Sequence, residues 1–145
     1  MRVSNGSSRH NLAAILLDAR TAKWRAPWGY TADVAEAVGL AVEQDRAAGD
    51  VFNVGETDSP DMQGWVRELA AGAGWRGQLV VVDEPCAPPN LPRSLNLDQN
   101  LDMDTTKIRR DLGYRETMPR REALEHTIAW DREYPPKHID PSQFD

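Results

Sequence analysis

The sequence WGYTADVAEAV, residues 28–38, followed by VFNVG at residues 51–55, decides the fold of this chain. After Asp33, apolar residues recur at the three-and-four spacing of a helix with one buried face, and Asp33 itself is suited to accept a backbone N–H at the helix start. Val51–Val54 is a short apolar run stopped by Gly55, a pattern typical of a strand buried on both faces. The sequence therefore predicts a helix that leads into a buried strand.

Other segments on either side of this unit are predicted from apolar runs and capping residues. Two further strands are expected, and two of the three further helices begin at a residue suited to cap a helix while the third begins at a proline. They are a strand at Ala13–Leu17, a helix capped by Ser59, a strand at Gln78–Asp83, a short helix capped by Asp104 and closed by Gly113, and a last helix from Pro119. Residues 1–12 are expected to be a disordered or loop N-terminus, 13–133 the folded portion and 134–145 a tail.

Composition excludes several classes of function. The chain of 145 residues has 17 basic and 23 acidic residues, a formal net charge of −6, which argues against binding to nucleic acid or to an anionic membrane surface. Cys86 is the only cysteine, and no run of residues approaches the roughly 20 apolar residues of a membrane helix. We expect a cytoplasmic protein whose partners include neither nucleic acid nor membrane.

Four short motifs, in this order, carry a family resemblance: GYTADVAEA at 29–37, VFNVG at 51–55, DTTKI at 104–108 and LGY at 112–114. Together they resemble the C-terminal, substrate-binding portion of the extended short-chain dehydrogenases, the NAD-dependent epimerase/dehydratase family. The resemblance implies an α/β chain with an incomplete Rossmann-type epimerase fold, a few short strands and about four helices. It also implies that the glycine-rich cofactor half, which binds NAD or NADP in the full-length family, is absent.

The sequence GAGWRG at residues 72–77 matches the dinucleotide-binding pattern G-x-G-x-x-G. That motif requires a preceding strand and a following helix, because the pyrophosphate lies at the helix N-terminus. Here the predicted order is reversed, so we expect these glycines to end a helix and turn the chain into a strand. We expect no cofactor to bind to this chain.

The family's catalytic Tyr-x-x-x-Lys pair is also missing. The three tyrosines, Tyr30, Tyr114 and Tyr134, are followed four positions later by valine, methionine and histidine. A tyrosine whose pKa is lowered by a nearby lysine cannot be built from this local spacing. We therefore assign no catalytic residue and expect no independent catalysis.

Four residues are candidates for substrate binding. By the resemblance, Arg25 lies near the place of an arginine that holds a sugar-nucleotide diphosphate, and Arg93 near that of one that holds the base or ribose; for each, a solvated surface arginine is as good an interpretation. Tyr30 either lines the substrate pocket or packs in the core. Asn53 is more suited to a structural hydrogen bond than to substrate.

The remaining polar residues favour structural roles. Asp104 and Asp33 are expected to cap helices, and Lys107 to be a surface charge. Glu122 and His126, at helical spacing, offer only two ligands, fewer than a metal site needs.

Two functions stay open at the sequence level. The chain is either the substrate lobe of an oxidoreductase, with a nucleotide sugar as a possible ligand, or a non-catalytic relic or interaction module that binds a partner through an exposed sheet edge. In both cases we expect a homo-oligomer or a separate cofactor-binding half as partner, because an isolated strand exposes backbone and apolar groups.

Overall fold

A computed structural model describes residues 14–83 and 96–135. These residues form a mixed α/β structure of five α-helices and a two-stranded parallel sheet, as expected for the coarse fold class. In chain order the elements are β1 (Ala14–Asp18), α1 (Ala19–Lys23), α2 (Thr31–Glu43), α3 (Met62–Gly72), β2 (Gln78–Val82), α4 (Thr106–Leu112) and α5 (Arg120–Glu133). The predicted N-terminal loop lies outside the described residues, as does most of the predicted tail.

The sheet pairs β1 with β2 in parallel, with Ala14 opposite Gln78 and Asp18 opposite Val82. Both strands lie within one residue of their predicted positions. Asp18 ends β1 and caps α1, since its Oδ1 accepts hydrogen bonds from the backbone N–H groups of Arg20 and Thr21 at 3.0 and 2.9 Å. A carboxylate at this position satisfies donors that have no partner within the helix.

The main apolar core lies between α2 and α4 rather than at the sheet. Ile108 and Leu112 of α4 are buried against Ala37 of α2, and the ring of Tyr114 is buried with them. Gly113 closes α4, as predicted, and has a φ of 74°, the left-handed conformation common for glycine at a helix end. The motif residues of the chain thus build a helix-to-helix core.

The predicted strand at Val51–Val54 is wrong. These residues form no strand, and none of them makes a backbone–backbone hydrogen bond within the described residues. Phe52 and Val54 pack against the α2–α4 core, whereas Val51 and Asn53 are exposed. The segment therefore has the alternating burial of a strand with one buried face, but no described strand lies beside it to complete a ladder.

Of the three predicted helix caps, Asp33 and Ser59 are wrong. Asp104 lies one residue before the N-cap of α4 and accepts the Thr106 N–H at 2.8 Å. Tyr30 holds the N-cap position of α2, and Asp33 lies inside the first turn, where it is buried. At α3 the cap is Asp61, which accepts the Gly64 N–H at 2.7 Å, and not Ser59. Aspartate and serine both cap helices well, so composition alone did not choose between them.

The glycines of GAGWRG end a helix, as predicted. The helix α3 ends at Gly72, Gly74 adopts a φ of +67°, and β2 begins at Gln78. The backbone N–H of Trp75 donates to the carbonyl of Ala70 at 2.9 Å, which closes the turn. Among the described residues, no helix is long and apolar enough to cross a membrane.

Candidate functional site

The candidate site is built around Arg120, the first residue of α5. Its Nε donates to the carboxylate of Glu56, its Nη2 donates to the carbonyl of Asp58, and its Nη1 lies 3.4 Å from Oε1 of Glu68. The Arg120 and Glu56 side chains are 26% and 12% exposed, so the ion pair is largely shielded from water. Burial opposes the charge on Arg120, but the hydrogen bond and charge of Glu56 outweigh it and raise the Arg120 pKa.

A cavity of about 300 Å³ opens on one side of this pair. We call it the acidic cavity because four carboxylates line it against a single arginine. Its charged residues are Asp33, Glu56, Asp58, Glu116 and Arg120. Three of these carboxylates lie in ion pairs: Glu56 with Arg120, Glu116 with Arg109 and Asp58 with Arg25. The lining therefore offers hydrogen-bond acceptors that suit hydroxyls or amines.

A second cavity, of about 180 Å³, adjoins the first and shares Glu56, Arg120 and Ala123 with it. We call it the aromatic cavity, because Trp28, Tyr30 and Trp65 contribute to its wall. The rings of Trp28 and Trp65 stack with centroids 4.1 Å apart and planes 9° apart. The Glu56–Arg120 pair therefore separates a carboxylate-lined space from an aromatic one.

The indole of Trp28 carries an unused donor. Its Nε1 is buried and has no hydrogen-bond partner among the described residues. A buried N–H without an acceptor costs free energy, so this nitrogen opposes the stability that the stacked rings contribute.

Two contacts hold the segment 116–119 over the acidic cavity. The buried carboxylate of Asp33 accepts from both the backbone N–H and the hydroxyl of Thr117, at 2.7 and 2.6 Å. Arg109 forms a bidentate pair with Glu116 at 2.5 and 2.9 Å and also donates to the carbonyl of Gly55 at 3.0 Å. The hydrogen bond from Arg109 lowers the pKa of Glu116, despite the opposing effect of burial.

Of the four predicted site residues, only Tyr30 lines one of these two cavities. It is half-buried, and its ring lies 6.5 Å from that of His126. Asn53 is exposed and donates to the carbonyl of Asp104 at 3.3 Å, which is a structural hydrogen bond of the favoured kind. Arg93 lies outside the described residues.

Arg25 lines a separate cavity of about 140 Å³. Its guanidinium donates to the carbonyl of Ser59 and lies between two carboxylates, 3.5 Å from Asp58 Oδ1 and 2.9 Å from Asp102 Oδ2. The contact of Nε with Asp102 has the distance of an ion pair but not the geometry of a hydrogen bond. To hold a diphosphate, Arg25 would have to exchange these carboxylates for phosphate oxygens.

The central residues of the site, Glu56 and Arg120, belong to no sequence motif. They are separated by 64 positions, and only the fold brings them together. The one local clue was that Glu56 follows the Gly55 turn and Arg120 follows Pro119, two places where a chain changes direction. Asp33 was singled out, but for a cap rather than for its contact with Thr117.

Within residues 14–83 and 96–135, no group of three or more His, Cys, Asp or Glu side chains is arranged to hold a metal ion. Comparison with known proteins yields no family model that matches the chain and no match among curated proteins.

Proposed function

We propose that this chain is the substrate-binding lobe of an NAD-dependent epimerase/dehydratase-like oxidoreductase, with an incomplete Rossmann-type fold, and that it is not catalytic alone. The NAD or NADP of such an enzyme would be held by a separate cofactor-binding half. The ligand proposed for this lobe is a small, hydroxyl-rich molecule such as the sugar of a nucleotide sugar.

The observation that carries this proposal is the pair of adjoining cavities on either side of Glu56 and Arg120. A sugar ring has an apolar face that packs on aromatic side chains and hydroxyls that donate to carboxylates. The aromatic cavity offers the first surface and the acidic cavity offers the second.

The charge distribution also limits how a nucleotide sugar would be oriented. Arg120, the one arginine that lines the acidic cavity, already donates to Glu56 and Asp58, so it is not available to bind a diphosphate there. The sugar would therefore occupy the two cavities, and the diphosphate would lie outside them, where Arg25 and Arg93 remain the predicted contacts.

Titration calorimetry of the full chain with a panel of nucleotide sugars, the matching free sugars and NAD alone tests the proposal. We expect at least one nucleotide sugar to bind and NAD not to bind. The variant Trp28→Phe keeps a ring beside Trp65 but offers a smaller aromatic surface, and we expect it to weaken binding about threefold.

The control is Trp130→Phe, since Trp130 is exposed on α5 and does not line either cavity. Equal loss of affinity in both variants would contradict a role for the aromatic cavity. Binding of NAD alone would contradict the division into two halves, and a failure of every ligand to bind would contradict the proposal as a whole.

The second candidate function is that of a non-catalytic interaction module. Exposed valines on α2, together with the unpaired segment at 51–54, favour it. If none of the small molecules binds in the same titrations, this alternative is supported.

A further inference from the structure

The charges that line the acidic cavity are balanced except at one carboxylate. Three of the four acids of the lining lie in ion pairs with arginines. The fourth, Asp33, forms no ion pair with any of the described residues. The lining and the arginines paired with it therefore carry one negative charge in excess, and that charge belongs to Asp33.

Asp33 carries its charge where water has little access. The residue lies in the first turn of α2 and is 3% exposed. Removing a carboxylate from water costs free energy unless a cation or hydrogen bonds compensate for it, and the helix dipole of α2 offsets only part of that cost. The two hydrogen bonds that Asp33 accepts, from the N–H and the hydroxyl of Thr117, both go to Oδ1. Its second oxygen, Oδ2, has no partner among the described residues.

Oδ2 of Asp33 is within reach of a ligand. Among the described residues, the side-chain nitrogens and oxygens that are fully buried without a hydrogen-bond partner are Arg25 Nε and Trp28 Nε1. Asp33 Oδ2 has no partner but is not one of these atoms, so part of its surface is accessible. Since Asp33 lines the acidic cavity, a molecule in that cavity can contact this oxygen.

Glu56 offers a second acceptor in the same cavity. Its Oε2 accepts from Nε of Arg120, whereas its Oε1 has no partner among the described residues and is not fully buried. Arg120 is the one cation of the lining, and it is already bound to Glu56 and to the carbonyl of Asp58. The cavity therefore has free acceptors but no free cation of its own.

A primary ammonium group suits this cavity better than a hydroxyl group does. An ammonium brings one positive charge, which balances the excess at Asp33, and three N–H donors. A hydroxyl has one donor and leaves the charge of Asp33 uncompensated. Hydrogen bonds between charged groups are also about twice as strong as those between neutral groups.

We propose that the sugar bound in the acidic cavity is an amino sugar, carried by a nucleotide, whose protonated amine binds Oδ2 of Asp33. The assignment presupposes the proposed substrate-binding function and adds the class of sugar. Asp33 then has two tasks, because its Oδ1 holds the segment 116–119 through Thr117 and its Oδ2 selects the ligand.

Titration calorimetry of the full chain with matched pairs of nucleotide sugars tests this selection. The members of a pair differ only in an amine in place of one ring hydroxyl, and the panel moves the amine to each ring position in turn. At about pH 6, below the pKa of an ordinary amine, the amino member of at least one pair should bind about tenfold more tightly than the hydroxyl member. The N-acetylated form of that amino sugar keeps the nitrogen without its charge and should bind no better than the hydroxyl member.

The variant Asp33→Asn separates the charge from the fold. Its amide oxygen can accept both hydrogen bonds from Thr117, but the side chain is neutral, so the amino and hydroxyl members should bind within about threefold of each other. The matched control is Glu36→Gln, which removes one negative charge from an exposed position of the same helix outside the cavity and should keep the preference. The comparison of the three ligands with the wild type does not depend on the variant being folded.

The outcomes separate the class of sugar from the substrate-binding function itself. Equal affinities within every pair would overturn the selection of an amine and leave the substrate lobe standing, because nucleotide sugars would still bind. A preference that persists in Asp33→Asn, that is lost in Glu36→Gln, or that is shared by the acetylated sugar would overturn it as well. If no nucleotide sugar binds, the proposed function fails, and the selection of an amino sugar fails with it.

Discussion

The α2–α4 core and the β1–β2 sheet differ in how completely they bury apolar side chains. In the α2–α4 core, Ile108 and Leu112 are almost completely buried, and Phe52 and Val54 pack on the same cluster. In the sheet, no residue of either strand is buried, and Ile15, Leu16 and Val81 are exposed by more than a third. Apolar burial is the main favourable contribution to folding, so we infer that the α2–α4 core contributes most of the stability of the described residues.

The largest expected effect contrasts one apolar side chain in each region. Ile108→Ala should lower the free energy of unfolding by about 3 kcal/mol, because it removes a fully buried side chain and leaves a cavity. Leu16→Ala, at a residue 38% exposed in β1, should cost about 1 kcal/mol. Urea denaturation of both variants measures the difference. Equal losses of unfolding free energy would show that the sheet contributes as much to stability as the α2–α4 core.

The next prediction tests whether Asp33 of α2 holds the segment 116–119 at the acidic cavity. Asp33→Ala should lower the free energy of unfolding by about 2 kcal/mol, because the N–H and hydroxyl of Thr117 both lose their acceptor. It should also speed hydrogen exchange at the Thr117 amide. Glu36→Ala, at an exposed position of the same helix, is the control and should change stability by less than about 0.5 kcal/mol. An unchanged Thr117 exchange rate would show that Asp33 does not hold the segment 116–119.

A smaller effect depends on pH and concerns Glu116. Its pKa is lowered in the folded chain by the hydrogen bond from Arg109, so the pair stabilises the fold above the ordinary pKa of 4.5. This contribution is lost as the pH falls through the lower pKa of the folded state. At pH 7, Glu116→Gln should therefore cost about 1 kcal/mol of unfolding free energy, and at pH 3 clearly less.

Urea denaturation of the wild type and Glu116→Gln at the two pH values gives the comparison. Glu36→Gln serves as the control, and its effect should be small at both values. A loss for Glu116→Gln that is the same at pH 3 and pH 7 would contradict stabilisation by the ionised pair.

Local patterns predicted α2 to α5 and the two paired strands because these elements depend on residues close in sequence, whereas the short helix α1 was not predicted. The apolar spacing after Asp33 gave α2, and the glycines of GAGWRG gave the turn from α3 to β2. The strand at Val51–Val54 failed because an apolar run shows that a segment is extended but not that another strand lies beside it.

The candidate site was largely beyond sequence analysis. Tyr30 was named as a residue that either lines a pocket or packs in the core, and it lines the aromatic cavity. Glu56 and Arg120 were missed, since an ion pair across 64 positions exists only once α5 packs beside the Gly55 turn. Asp33 was noticed for the wrong reason, because a capping carboxylate and a buried carboxylate in the first helical turn have the same sequence pattern.

The smallest expected effects come from one substitution made at two glycines. An added Cβ would meet no atom within 4 Å at Gly39 in α2 or at Gly74 after α3, so packing does not distinguish the two sites. Gly39→Ala should raise the free energy of unfolding by about 1 kcal/mol, because alanine favours a helix interior over glycine. Gly74→Ala should lower it by about 1 kcal/mol, because Gly74 has a φ of +67° that alanine adopts only with strain. Urea denaturation measures both, and each variant is the control for the other. The same sign in both would mean that the turn into β2 relaxes around a side chain, and that the sheet is tied to α3 less firmly than its backbone conformation implies.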